Sequence, residues 1–139
     1  MKRSLLGYGA TLSAFVALDA AWLALFAIDL FERQVGTILR EQPNMGAVMA
    51  FYPIYAAGLY TLAVRPASQE RSRRRAVVNG SVLGLAAYAA FDLTNLAIIA
   101  GWTIELALTD MAWGTVASAL AATAGYAAAS WVAPVGNDR

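Results

Sequence analysis

Three carboxylates stand inside otherwise apolar stretches of the chain: Asp19, Asp92 and Asp110. Each costs about 2.5–3.5 kcal/mol at the centre of a bilayer on insertion scales, and such residues normally face a bundle interior and have a use. Their neighbours repeat. Asp19 and Trp22 share a D-x-x-W spacing with Asp110 and Trp113. On a helix that spacing puts acid and indole on one face, with the N–H available to a carboxylate. Tyr88, Asp92 and Asn95 fall at i, i+4 and i+7, again one face. Tyr52 and Tyr55 add two phenols, and Pro53 between them removes a backbone donor and can free a carbonyl. Acids walled by aromatic rings suit a cation, an amine or a proton. Paired acids whose environments differ can also do general acid–base chemistry.

These groups need elements to hold them, and the charge pattern supplies the elements. The chain has 139 residues, of which 60% are hydrophobic and 14% charged, against roughly 25% charged in soluble domains. Residues 4–28 carry only Asp19 as a charge, 42–64 carry none, 76–104 only Asp92, and 111–137 none. The expectation is one transmembrane domain over 1–139, an all-α polytopic bundle of four helices at about 4–28, 46–64, 76–100 and 104–132. Met1-Lys2-Arg3 before an apolar run resembles a signal peptide. The run is longer than such a core and holds Asp19, so it is read as an uncleaved first helix. Arg65-Pro66 should stop the second helix. Gly101 suits a left-handed cap after the third, Trp102 the headgroup layer, and Thr103 the N-cap of the fourth. Small residues mark close helix contacts: Gly80 and Gly84; Gly114, Ser118 and Ala122; Ala121, Gly125 and Ala129.

Topology follows from the cations. Lys2, Arg3, Arg65, Arg71, Arg73, Arg74, Arg75 and Arg139 lie on one side of the expected spans, and only Arg33 and Arg40 on the other. Eight against two puts both termini in the cytoplasm. Asp19 then lies about 22 Å and Asp92 about 24 Å from the cytoplasmic ends of their helices, and Asp110 about 9 Å from the outer end of its own, at 1.5 Å per residue. All three reach the outer half of a core about 30 Å thick, level with Tyr52 and Tyr55. In the outer loop, 29–45, Phe31, Val35, Ile38 and Leu39 share a helical face. A short interfacial helix is expected there, with Arg33 and Arg40 as lid residues able to pair with the acids from above.

Absences prune the chemistry. The chain has no Cys and no His, so thiolate or imidazole metal sites, the usual haem ligation and Ser-His-Asp catalysis are excluded. The one Lys is Lys2, so no Schiff-base lysine lies within the spans. A net charge of +1 offers no nucleic-acid footprint. No cofactor and no metal are expected.

The strings Leu18-Asp19-Ala20-Ala21-Trp22-Leu23, Phe51-Tyr52 through Tyr55-Ala56-Ala57-Gly58, Tyr88 through Asp92-Leu93-Thr94-Asn95, and Asp110-Met111-Ala112-Trp113-Gly114 resemble a family of small bacterial membrane proteins catalogued as a domain of unknown function. The resemblance spans nearly the whole chain. It implies a multi-pass protein of the bacterial inner membrane and no particular activity. From the residues, the leading expectation is binding or transport of a small cationic or amphipathic ligand, or of protons, at a polar Asp/Trp/Tyr pocket, in a homo-oligomer surrounded by lipid. The alternatives are an intramembrane enzyme acting on a lipid or isoprenoid, and a structural or accessory subunit whose acids clamp helices through hydrogen bonds of about 0.6 kcal/mol each.

Overall fold

Long helical rods, and no strand, make up residues 1–131, the part of the chain that the computed structural model describes. Helix α1 (Lys2–Trp22) runs through a π turn (Leu23–Ala27) into α2 (Ile28–Val35) and a 3-10 turn (Gly36–Ile38). Helix α3 (Met45–Leu59) continues through a second π turn (Tyr60–Val64) into α4 (Arg65–Gln69). Helix α5 (Arg73–Ile98) and helix α6 (Ile104–Trp131) complete the order. Val132 and Arg139, which entered the expectations above, lie outside the described residues.

The ends follow local chemistry. Asn44 caps α3 by accepting from the Ala47 N–H, and Ser72 caps α5 by accepting from Arg75. Gly101 has φ 96°, the left-handed conformation that glycine adopts without a steric cost, and Thr103 accepts from the Leu106 N–H as the expected N-cap.

Two expected boundaries shift. The helical stretch of the outer segment is present, but it runs on from α1 through the π turn without a break, so 2–38 is one rod. Arg65-Pro66 does not stop the second rod either, which reaches Gln69. Proline's fixed φ is compatible with the first turn of a helix, and Pro66 sits in the first turn of α4 directly after the π turn. Asn79 of α5 donates to the Leu62 carbonyl at 3.0 Å, the carbonyl four residues before Pro66 that a proline cannot serve.

The all-α membrane bundle expected from the sequence is what the chain forms. Three rods, Lys2–Ile38, Met45–Gln69 and Arg73–Ile98, are long and apolar enough to cross a membrane. Helix α6, with 28 residues, has the length to cross as well but is not among these three. It is the most sheltered of the helices. Ten of its residues are buried, Asp110, Gly114, Ser118 and Gly125 among them, and it packs between α1 and α5. A helix sheltered by its neighbours is selected for close approach rather than for lipid contact.

The small residues set those contacts. A methyl group added at Gly80 would lie 2.8 Å from Ala122 Cβ, and one at Gly84 2.6 Å from Ser118 Oγ. On the other face of α6, Gly125 lies against Thr11 and the Gly7 carbonyl of α1. Thr11, fully buried, returns its own hydroxyl to Gly7 O at 2.8 Å. Phe15, Leu59, Val64 and Ala121 are fully buried at the centre. A second cluster closes one end, where Val35 packs with Trp102, Leu106 and Ala107, and Phe31 joins its edge. Ile38 and Leu39, expected on that same face, are exposed.

Candidate functional site

A cavity of about 370 Å³ opens between the rods, just inside the Trp102 end of the bundle. Asp19 and Trp22 of α1, Tyr55 of α3, Tyr88 of α5 and Asp110 of α6 all line it. Five expected site residues from four separate helices therefore meet, as the depth argument requires. The remaining walls are apolar: Leu23 and Ala27 from the first π turn, Phe31 from α2, Phe51 from α3, Ala87 and Phe91 from α5. Its size falls within the range of about 300–1,000 Å³ usual for small-molecule sites, and so does its make-up of many apolar groups and a few polar ones.

Distinct devices fix Asp19, Tyr55 and Tyr88. Asp19 and Asp110 are 9% and 8% exposed. Tyr52 does not line the cavity but donates to Asp19 Oδ2 at 2.8 Å and so orients that carboxylate from behind. Tyr55 shares a 2.7 Å hydrogen bond with Ser118 Oγ of α6. The Tyr88 ring lies directly over Gly114, where any side chain would collide with it. Phe15 packs at 4.7 Å from Tyr55 and 6.2 Å from Tyr52, ring to ring, which restrains both phenols.

The two D-x-x-W motifs interlock rather than acting separately. Because α1 and α6 are antiparallel, Trp22 stacks on Trp113 with centroids 4.9 Å apart and planes 11° apart. Trp22 thereby comes next to Asp110 of the opposite motif. Neither indole N–H forms a hydrogen bond among the described residues, so the expected indole–carboxylate bonds within each motif are not made. Trp113 lies behind Trp22 and does not line the cavity.

Asp92 is fully buried, and neither of its oxygens has a hydrogen-bond partner among the described residues. It lies behind the cavity, within electrostatic reach of Asp110 and beside the Trp102 indole. Asn95 is half-buried, makes no side-chain hydrogen bond among the described residues and does not reach the cavity. Pro53 stays outside too, and its carbonyl accepts from the Tyr8 hydroxyl at 3.2 Å. The described residues hold no group of three or more acidic side chains placed to share a metal ion.

Arg33 and Arg40 do not form the expected lid. Both are exposed, and neither pairs with an acid of the site among the described residues. Since α2 continues the direction of α1, it turns Phe31 toward the cavity and leaves Arg33 on its outer surface beside Asp29 and Glu32. The cover is aromatic instead. Trp102, expected in the headgroup layer, is 8% exposed and makes edge-on contacts with Phe31 at 5.6 Å and Phe91 at 5.5 Å. Gln34 of α2 accepts from the Thr103 hydroxyl and ties this cover to the loop before α6. Ser118 and Trp102 are the functional neighbours that sequence reasoning assigned elsewhere. The Gly114/Ser118/Ala122 stripe was the available signal for Ser118.

Apolar rods of spanning length, joined by short turns around a carboxylate-bearing cavity, define a multi-pass helical membrane protein. Within that class the chain belongs to the family described as "Predicted membrane protein (DUF2177)", whose model matches residues 4–127 and so takes in every residue of the cavity. No curated protein and no solved structure matches the chain.

Proposed function

We propose that the cavity binds a small amphipathic cation, and that the chain serves as a binding or carrier protein for such molecules. One observation carries the reading. Asp19 and Asp110 face one aromatic-walled cavity, and no cationic side chain pairs with either among the described residues. Two buried carboxylates without a counter-ion are costly. A ligand that brings positive charge and an apolar body relieves that cost, and the rings of Trp22, Tyr55 and Tyr88 add cation–π attraction worth about 2 kcal/mol when desolvated. We read the membrane as the bacterial inner membrane, with the arginine-rich end in the cytoplasm by the eight-to-two bias of basic residues. The cavity then opens in the outer half of the bilayer.

The test is thermal unfolding of the purified protein with benzyltrimethylammonium and, separately, with its neutral isostere neopentylbenzene. At 100 times its Kd the cation should add about 2.7 kcal/mol of stability. Asp19→Asn/Asp110→Asn should remove that gain while the protein stays folded. Equal stabilisation by the neutral compound, or an undiminished cation effect in the double variant, would reject the proposal.

A further inference from the structure

At the opposite end of the bundle from the aromatic cavity, we infer a second site, one that takes a phosphate group. A pocket of about 170 Å³ lies between the first turn of α1, the α3–α4 junction and the last turns of α6. Arg3 and Arg65 line it, with Ser4, Ser68 and Gln69, while Tyr60 and Ala129 form its apolar wall. Arg3 is held in place, since its guanidinium donates to the Ser68 carbonyl at 2.6 Å. That bond uses one of five guanidinium N–H groups and leaves the rest of the fork for a ligand. Ser68 is 7% exposed, and its hydroxyl lacks any hydrogen-bond partner among the described residues. A buried hydroxyl without a partner costs stability, which a ligand oxygen at this spot recovers.

The donor set selects the ligand. Two guanidiniums, two serine hydroxyls and an amide surround the pocket, and no carboxylate of the described residues lines it. Glu70, the acid next in sequence, is engaged with Arg75. Arginine forks with added neutral donors are the usual recognition chemistry of phosphate oxygens. Position narrows the source. The pocket sits where the rods Lys2–Ile38 and Met45–Gln69 end, which is the headgroup level of a bilayer. Its volume is below the range of about 300–1,000 Å³ typical of whole-molecule clefts, so it holds the phosphate itself and leaves any attached chains outside. The ligand is therefore the phosphate of an anionic phospholipid headgroup or a free phosphate ion, recognised by the same groups.

Binding of phosphatidylglycerol, phosphatidylcholine and inorganic phosphate to the purified full-length protein tests this, read by native mass spectrometry and thermal shift. Wild type should retain phosphatidylglycerol in preference to phosphatidylcholine. Arg3→Gln/Arg65→Gln should weaken that binding about tenfold or more. The control Arg73→Gln/Arg74→Gln removes equal charge outside the pocket and should keep most of the binding. Arg65→Gln alone, which breaks no described hydrogen bond, guards against a folding defect in the double variant and should lose part of the affinity. Saturation by millimolar inorganic phosphate, with the same arginine dependence, would identify the free ion as the ligand of this site. Equal losses in both double variants would reduce the effect to general surface attraction and overturn the proposal, as would binding to neither phosphate source.

Discussion

Asp19 and Asp92 are two buried acids with opposite surroundings, and the difference makes separate predictions. Tyr52 donates to Asp19 from the protein side, so removing that donor leaves a buried carboxylate oxygen without its partner. Tyr52→Phe should lower stability by about 1–3 kcal/mol, measured by thermal unfolding in detergent, and should weaken cation binding because Asp19 loses its orientation. Asp92 has no such partner among the described residues, and an unpartnered buried acid costs stability. Asp92→Asn should leave unfolding unchanged or raise its midpoint. A fall of more than about 2 kcal/mol would instead mark Asp92 as a hydrogen-bonded clamp. A stability gain accompanied by lost ligand binding is the pattern of a residue held against stability for function.

Among the elements, close approach at glycine is what joins α5 to α6. Gly114→Ala would drive a methyl group into the Tyr88 ring, and overpacking of this kind costs about 1–3 kcal/mol. Gly9, on α1, has nothing near its Cβ position, so Gly9→Ala should stabilise by about 0.5–1 kcal/mol through helix propensity alone. Parallel melts of the two variants, read by circular dichroism, check the contrast. The contact stripes behind it were legible in the sequence, since small residues at four-residue spacing carry their own signature. So was the meeting of Asp19, Asp110, Tyr55 and Tyr88, because depth in a membrane follows from counting residues along a helix. The π turns were not legible. They depend on packing between rods, and no residue type at Leu23–Ala27 or Tyr60–Val64 announces them. Missing them ended the first and second helices too early and made Arg33 and Arg40 look like a lid. The place of Trp102 was hidden for a related reason, because tryptophan near a helix end suits the headgroup layer until α2 folds against it. The passage through Pro66 gives a further check on this scale. If Asn79 substitutes for the missing proline donor, Asn79→Ala should cost about 1 kcal/mol in the native background and much less beside Pro66→Ala. Additive losses in that cycle would show that the Asn79 bond and the proline are independent.

For the whole molecule, the packing sorts the turns into two ends. Arg3, Arg65, Ser68 and Ala129 meet at one, and Phe31, Gln34, Trp102 and Thr103 at the other. Among the described residues the basic side chains follow the same division, since Arg33 and Arg40 alone belong to the aromatic end. If charge sets orientation, the aromatic cavity faces outward and the phosphate pocket inward. The absence of cysteine makes this directly measurable, because any introduced thiol is the single one in the chain. Gln42→Cys, in the exposed turn before α3, should react with an impermeant maleimide on intact spheroplasts. Gln69→Cys, exposed at the other end, should react only after lysis. The reverse pattern would turn the cavity toward the cytoplasm and exchange the compartments from which its ligand and the phosphate are drawn. Equal labelling of both sites on intact cells would contradict a spanning bundle, because the two ends of rods such as Met45–Gln69 cannot share one side of a membrane that the rods cross.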